Sequence, residues 1–173
     1  MRARRLSGAT LRRRAARIRC LFLDIDGVLT DGKLYLGANG EEFKTNYVRD
    51  GLGIKRLLAA GVEVAVISGR PSEAMRRRLD FLGVKHVVLD NEDKLPVYEQ
   101  IRGRLGFAHP ECAVMGDDLP DVPVMQRAGL ALAVADAHPV ALKAAHWVSR
   151  HPGGLGAVRE ACDLILVAQG KDD

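Results

Sequence analysis

Cys20-Leu-Phe-Leu-Asp-Ile-Asp26 is the stretch whose reading decides the fold of this chain. A short apolar run ends in carboxylates and Gly27, the pattern of a buried strand that delivers polar groups at its C-terminal end. Further along, Val62-Glu-Val-Ala-Val-Ile67 reads as another buried strand and ends in Ser68-Gly69-Arg70. His86-Val-Val-Leu89 reads as a third central strand, Cys112-Ala-Val-Met115 as a fourth and Leu130-Ala-Leu-Ala-Val134 as a fifth, with a short last strand at His146-Trp-Val148. Helical spacing fills the intervals. Ile54, Leu57 and Leu58 mark a helix over 53–60 that Gly61 stops, and Pro71 opens the next, with Met75, Leu79 and Leu82 on one face and Gly83 after it. Further helices are predicted over 94–105, 121–128, 139–145 and 156–167. This alternation predicts an α/β fold with a parallel sheet covered on both faces and a site at the strands' carboxyl ends.

One segment breaks the alternation. From Lys33 to Tyr47 polar and apolar residues alternate around Gly37-Ala-Asn39-Gly40, which predicts a β-hairpin inserted after the first strand. The chain of 173 residues is otherwise of ordinary globular composition, 47% hydrophobic and 28% charged, enough for one domain with its own core. We divide it into a basic leader, 1–17, and a folded domain, 18–173.

The net charge of +4 owes much to Arg2, Arg4, Arg5, Arg12, Arg13, Arg14, Arg17 and Arg19, a stretch without a single acid. Clustered guanidinium groups suit a nucleic-acid arm, but charge runs are more often simply solvated, and a solvated or frayed leader is the favoured reading. No apolar segment of secretory type follows, although an organellar presequence would share this composition. Cys20, Cys112 and Cys162 are widely spaced among apolar residues and are expected to be buried, reduced thiols, as in a cytoplasmic protein. His86, His109, His138, His146 and His151 lack metal-ligand spacing, and Trp147 is expected in the core or a subunit contact.

Polar clusters follow four of the strands: Asp24 with Asp26, Ser68, Lys94, and Gly116-Asp117-Asp118 with Asp121. Any one of them alone would be a cap, a turn or a surface lysine; their order along one sheet rim makes them a site. Asp24 and Asp26 are two apart, so on an extended strand both project from one side and repel unless a cation lies between them. Magnesium, which takes oxygen ligands, fits this need, with Asp117 as a further ligand. Lys94 and the Ser68 hydroxyl would hold the oxygens of a phosphoryl group.

Asp24-Ile-Asp26-Gly-Val-Leu-Thr30, Ser68, Lys94 and Gly116-Asp-Asp-Leu-Pro-Asp121 resemble the four ordered motifs of haloacid dehalogenase-type phosphatases. Thr30-Asp-Gly32, Val48-Arg-Asp-Gly-Leu-Gly53, Ser68-Gly-Arg70, Ala133-Val-Ala-Asp-Ala-His138 and Gly153-Gly-Leu-Gly-Ala-Val-Arg-Glu160 are similar to the 3-deoxy-D-manno-octulosonate 8-phosphate phosphatases in particular. The resemblance runs from about Ile18 to Lys171. It implies a Rossmann-like three-layer α/β/α core without a large cap domain, and a homotetramer in which the hairpins meet. It also implies that Asp24 attacks phosphorus and that Asp26 protonates the leaving sugar oxygen, then deprotonates the hydrolytic water. Mg²⁺ would be held by the Asp24 carboxylate, the Asp26 carbonyl and Asp117, with Asp118 nearby and Asp121 positioning Lys94 by a salt bridge. Thr30, Arg49, Arg70 and Arg78 fall on the substrate side, a guanidinium fork being suited to a carboxylate or phosphate.

Two segments depart from that family's pattern: Leu89-Asp-Asn-Glu-Asp93 replaces a Gln-Gly-Gln type of loop, and Leu155 stands where arginine is common. The implied function is dephosphorylation of a small sugar acid phosphate in lipopolysaccharide precursor synthesis. A nine-carbon sugar acid phosphate is the alternative substrate, a non-catalytic assembly module the alternative class. No membrane or nucleic-acid partner is expected.

Overall fold

The computed structural model describes residues 6–40 and 42–172. Arg2, Arg4 and Arg5 of the leader and Glu41 of the hairpin lie outside the described residues. A six-stranded parallel sheet has the order β5-β4-β1-β6-β7-β8. Its strands are β1 (Cys20–Leu23), β4 (Glu63–Ile67), β5 (His86–Val88), β6 (Cys112–Gly116), β7 (Leu130–Ala133) and β8 (Trp147–Val148). β1 lies between β4 and β6 and is buried along its whole length, which is why its sequence is a continuous apolar run rather than an alternating one. Leu23 pairs with Val66 on one side and with Met115 on the other, so Asp24, Ser68 and Asp117 leave the sheet along one rim.

The helices are α1 (Gly8–Ala15), α2 (Val48–Ala59), α3 (Glu73–Leu82), α4 (Lys94–Leu105), α5 (Val122–Arg127), α6 (Pro139–Ala144) and α7 (Ala157–Ala168). α2 packs on α7, with α1 against α7 and α3 against α2; α4, α5 and α6 form the other group of neighbours, so the sheet is flanked by helices as expected. No helix among the described residues is long and apolar enough to cross a membrane. Cys20, Cys112 and Cys162 are buried free thiols. Trp147 is half-buried against the core.

The inserted hairpin is present but short: β2 (Tyr35–Leu36) pairs antiparallel with β3 (Glu42–Phe43), leaving Tyr35, Leu36 and Phe43 exposed. Four other expectations need correction. His86–Val88 is an edge strand, not a central one. α2 begins at Val48 rather than at Gly53, because Gly51 and Gly53 lie inside the helix; a Cβ at Gly53 would come within 3.1–3.2 Å of Arg159 and Cys162 on α7, so glycine there allows close helix packing. α3 begins after Pro71, with Ser72 as its cap, the Ser72 hydroxyl accepting from the Met75 amide at 3.4 Å.

The fourth correction concerns the leader, which is not frayed from residue 6 onward. The Leu6 amide donates to the His146 carbonyl at 3.1 Å and Arg14 donates to the Gly129 carbonyl at 2.7 Å. Ala15, on the inner face of α1, is fully buried. Ala15 allows α1 to dock while Arg12 and Arg13 stay exposed and Arg14 lies half-buried.

Candidate active site

Asp24 follows β1 and is almost completely buried. Lys94, the first residue of α4, reaches it at 2.8 Å and reaches Asp121 at 2.7 Å. The second Asp121 oxygen accepts from the Asp117 and Asp118 amides at 3.0 and 3.3 Å, so one carboxylate holds both the lysine and the loop after β6. Gly116 permits this, since a Cβ there would run into the Asp121 side chain. Gly27, at φ +90°, serves Asp117 in the same way: the Asp117 carboxylate occupies the space that a side chain at position 27 would fill.

Among the described residues, carboxylate oxygens of Asp24, Asp117 and Asp121 lie within 4.8 Å of one another. Burial and then the neighbouring Asp121 charge push the Asp24 carboxyl up to about 6. Burial, then Asp24 and Asp121, push Asp117 up to about 8. Burial pulls the Lys94 ammonium down, but Asp24 and Asp121 outweigh it and hold Lys94 above its ordinary value. An all-oxygen donor set whose acids repel one another is what a hard divalent cation relieves, so these residues fit magnesium. Asp24 and Asp117 are the carboxylates available to it, because both Asp121 oxygens are already engaged, Oδ1 by Lys94 and Oδ2 by the Asp117 and Asp118 amides.

The Asp24/Asp26 pair does not supply the repulsion expected from its spacing. The chain leaves strand geometry after Leu23, and the Asp26 side chain meets Lys44 of the hairpin instead, with the ammonium 2.9 Å from Oδ1 and 3.0 Å from Oδ2. Arg70 lies 3.9 Å from the same carboxylate and 3.1 Å from Glu42. Ser68 is buried at the end of β4, its hydroxyl accepting from the Arg70 amide at 3.3 Å.

The other candidates divide. Thr30 is fully buried and accepts from the Gly27 and Gly32 amides at 3.3 and 3.2 Å, so it braces the turn from beneath rather than facing substrate. Asp118 turns outward to cap a short 3₁₀ turn through the Leu119 amide at 2.7 Å and lies 3.7 Å from His138. Arg78 is half-buried beside Gly51 and 5.7 Å from the Phe81 ring centre. Arg49 is exposed and lines a cleft with Tyr47, Arg150, His151, Leu155 and Arg159.

Reasoning from the sequence missed Lys44, Glu42 and Asp50. A lysine and a glutamate in a polar hairpin read as solvated, and nothing in their spacing points to the rim of a distant strand. Asp50 is buried and accepts from the Gly156 and Arg159 amides, at 3.3 and 2.8 Å, at the start of α7.

Comparison with known proteins agrees with this geometry. A haloacid dehalogenase-like hydrolase profile matches residues 86–158. The 3-deoxy-D-manno-octulosonate 8-phosphate phosphatase of Yersinia pestis is 49% identical over 158 residues, 91% of this chain and 84% of that protein. A crystal structure of the Yersinia pestis phosphatase superposes with a TM-score of 0.93 at 47% identity, covering 94% of this chain and 88% of that one. The Moraxella catarrhalis phosphatase, solved with magnesium, phosphate and 3-deoxy-D-manno-octulosonate, superposes with a TM-score of 0.94 at 35% identity, covering 96% of each chain. With its rim carboxylates, its lysine and its inserted hairpin, the chain belongs to the 3-deoxy-D-manno-octulosonate 8-phosphate phosphatase family of haloacid dehalogenase-like hydrolases.

Proposed function

We propose that this protein is a magnesium-dependent phosphatase that converts 3-deoxy-D-manno-octulosonate 8-phosphate to the free sugar acid and phosphate, a step of lipopolysaccharide precursor synthesis. The observation that carries the reading is the Asp24–Lys94–Asp121 chain beside Asp117, in a protein nearly half identical to phosphatases named for that substrate. Asp24 and Asp117, with the Asp26 backbone carbonyl, would hold Mg²⁺, which supplies charge neutralisation on the phosphoryl oxygens.

The chain's own residues then account for the reaction. Lys94 and the Ser68 hydroxyl take phosphoryl oxygens and orient phosphorus toward Asp24. A carboxylate oxygen of Asp24 forms a bond to phosphorus as the bond to the sugar oxygen breaks, and protonated Asp26 gives its proton to that oxygen. Asp26 then takes a proton from water, whose oxygen attacks the aspartyl phosphate, and Asp24 is released as a carboxylate. Arg70, 3.9 Å from Asp26, would meet the sugar acid, with Arg49 and Arg78 as further candidates. Asp118 and Asp121 support the metal loop and the lysine.

Exposed Tyr35, Leu36 and Phe43 on the hairpin suit burial between subunits, supporting a homotetramer. Buried free thiols support a cytoplasmic setting. Phosphate release should depend on added Mg²⁺, favour the eight-carbon over a nine-carbon sugar acid phosphate in kcat/KM, and vanish in Asp24→Asn. Equal rates on unrelated phosphomonoesters would defeat the substrate assignment, and turnover surviving in Asp24→Asn would defeat the mechanism.

A further inference from the structure

Asp26 belongs to a closed ring of alternating charge that joins three separate segments. Its carboxylate meets Lys44 at 2.9 Å, Lys44 meets Glu42 at 3.3 Å, Glu42 meets Arg70 at 3.1 Å, and Arg70 returns to Asp26 at 3.9 Å. Against partial desolvation, the hydrogen bonds from Lys44 and Arg70 hold the Glu42 carboxyl below its ordinary range. The Lys44 side chain is only 3% exposed although it springs from a short surface hairpin. A buried ammonium must be paired, and a lysine that merely decorated the hairpin would reach outward to water. Asn46, two residues beyond Lys44, donates to the Met75 sulphur at 3.1 Å and ties this segment to α3.

From this geometry we infer that Lys44 is a positioning residue: it holds the Asp26 carboxylate toward the hairpin, on the leaving-group side, and keeps it out of the Asp24/Asp117/Asp121 cluster. The inference rests on the reading of Asp26 as the group that exchanges protons with the sugar oxygen. Each time its proton passes to the sugar oxygen, Asp26 becomes an anion two residues from Asp24 with a strong competing destination, the cation site itself. Were its side chain to turn there, it would leave the substrate oxygen without a proton donor. The Lys44 ammonium, in contact with both carboxylate oxygens, removes that alternative. The hairpin is therefore part of the catalytic apparatus as well as a surface for assembly.

Leaving-group dependence tests this. A sugar alkoxide needs a proton as it departs, whereas a nitrophenolate leaves without one, so a misplaced Asp26 slows release of the first far more than of the second, while hydrolysis of the aspartyl phosphate slows alike for both. In Lys44→Met the rapid-quench rate of leaving-group release at saturating substrate, which precedes the shared hydrolysis step, should fall for the sugar acid relative to p-nitrophenolate by about tenfold or more, and Lys44→Arg should restore most of it. Should Lys44→Met not fold, as judged by circular dichroism, Lys44→Gln carries the same comparison. An equal loss in the two release rates, or none in either, overturns the positioning role while leaving the phosphatase reading intact. Absence of turnover by the unaltered enzyme on either substrate would instead remove the reading on which the inference rests.

Discussion

The Lys94 ammonium donates to Asp121 Oδ1 at 2.7 Å, while the other Asp121 oxygen accepts from two amides of the loop that carries Asp117. One buried carboxylate thus sets both Lys94, proposed to bind phosphate, and the loop of Asp117, proposed as a metal ligand. Asp121→Asn keeps the shape but not the charge, and cannot satisfy the lysine and both amides as an anion does. We expect kcat/KM to fall by roughly tenfold to a hundredfold and the Mg²⁺ concentration for half-maximal activity to rise. Steady-state kinetics across a magnesium titration check this, and an unchanged magnesium dependence would show that Asp121 serves the lysine alone.

Asp24 and Asp117 stand at about 6 and about 8, both above the ordinary 3.8. Acids whose folded values are raised favour the protonated folded state. Their contribution to stability is full below 3.8 and is lost as pH rises through about 6 and then about 8. Mg²⁺ held by the deprotonated pair, as proposed, would compete with those protons. Metal-free protein should therefore lose stability at the site over this window, and the rise in Tm on adding Mg²⁺ should be larger at about pH 8 than at about pH 6. Thermal melts in chelator and in magnesium decide it; a larger rise at the lower pH would contradict the assignment.

Gly153 sits against the Gly27 carbonyl, its amide donating to Asp136 at 2.9 Å, while Gly154 donates to the Val28 carbonyl at 2.9 Å. A Cβ on Gly153 would strike backbone on both Gly27 and Thr30, which cannot swing aside as a side chain can. Gly153→Ala should cost about 1–3 kcal/mol in urea unfolding and reduce turnover, because the displaced turn is the one that makes room for Asp117. Gly103→Ala is the control. A Cβ there meets no described heavy atom within 4 Å and lies inside α4, so it should be neutral or stabilise by about 0.5–1 kcal/mol.

Strand order and the rim were legible because local signals agreed with the global fold: Leu21, Phe22 and Leu23 are apolar on both faces, and Asp24 and Asp117 follow their strands immediately. Helix limits were less so. Gly51 and Gly53 lower local helix propensity, yet packing of α2 against α7 overrides it, a long-range effect invisible at position 53. Edge placement of His86–Val88 depends on pairing order, which no single strand encodes. At the site, Asp24, Lys94, Asp117 and Asp121 stood out by their order, whereas Lys44 needed the hairpin to fold back over Asp26 before its partner existed. Thr30 shows the related limit that a hydroxyl in a motif can as well brace two amides as face a ligand.

Asp50 lies on α2 but caps α7. Gly156, the residue at that helix's start, has φ +108° and no side chain to offer, so the first-turn amides of Gly156 and Arg159 find their acceptor 106 and 109 residues away. Burial raises the Asp50 carboxyl above its ordinary value despite these donors, which offsets part of the gain. Asp50→Ala leaves both amides without their acceptor and should cost about 1–2 kcal/mol, measured by urea unfolding. Asp50→Asn keeps one carbonyl oxygen and should lose less. The start of α7 directly follows the Gly153–Gly154 contact with the Gly27–Thr30 turn, so Asp50→Ala should also lower kcat; destabilisation with full activity would separate the cap from the site.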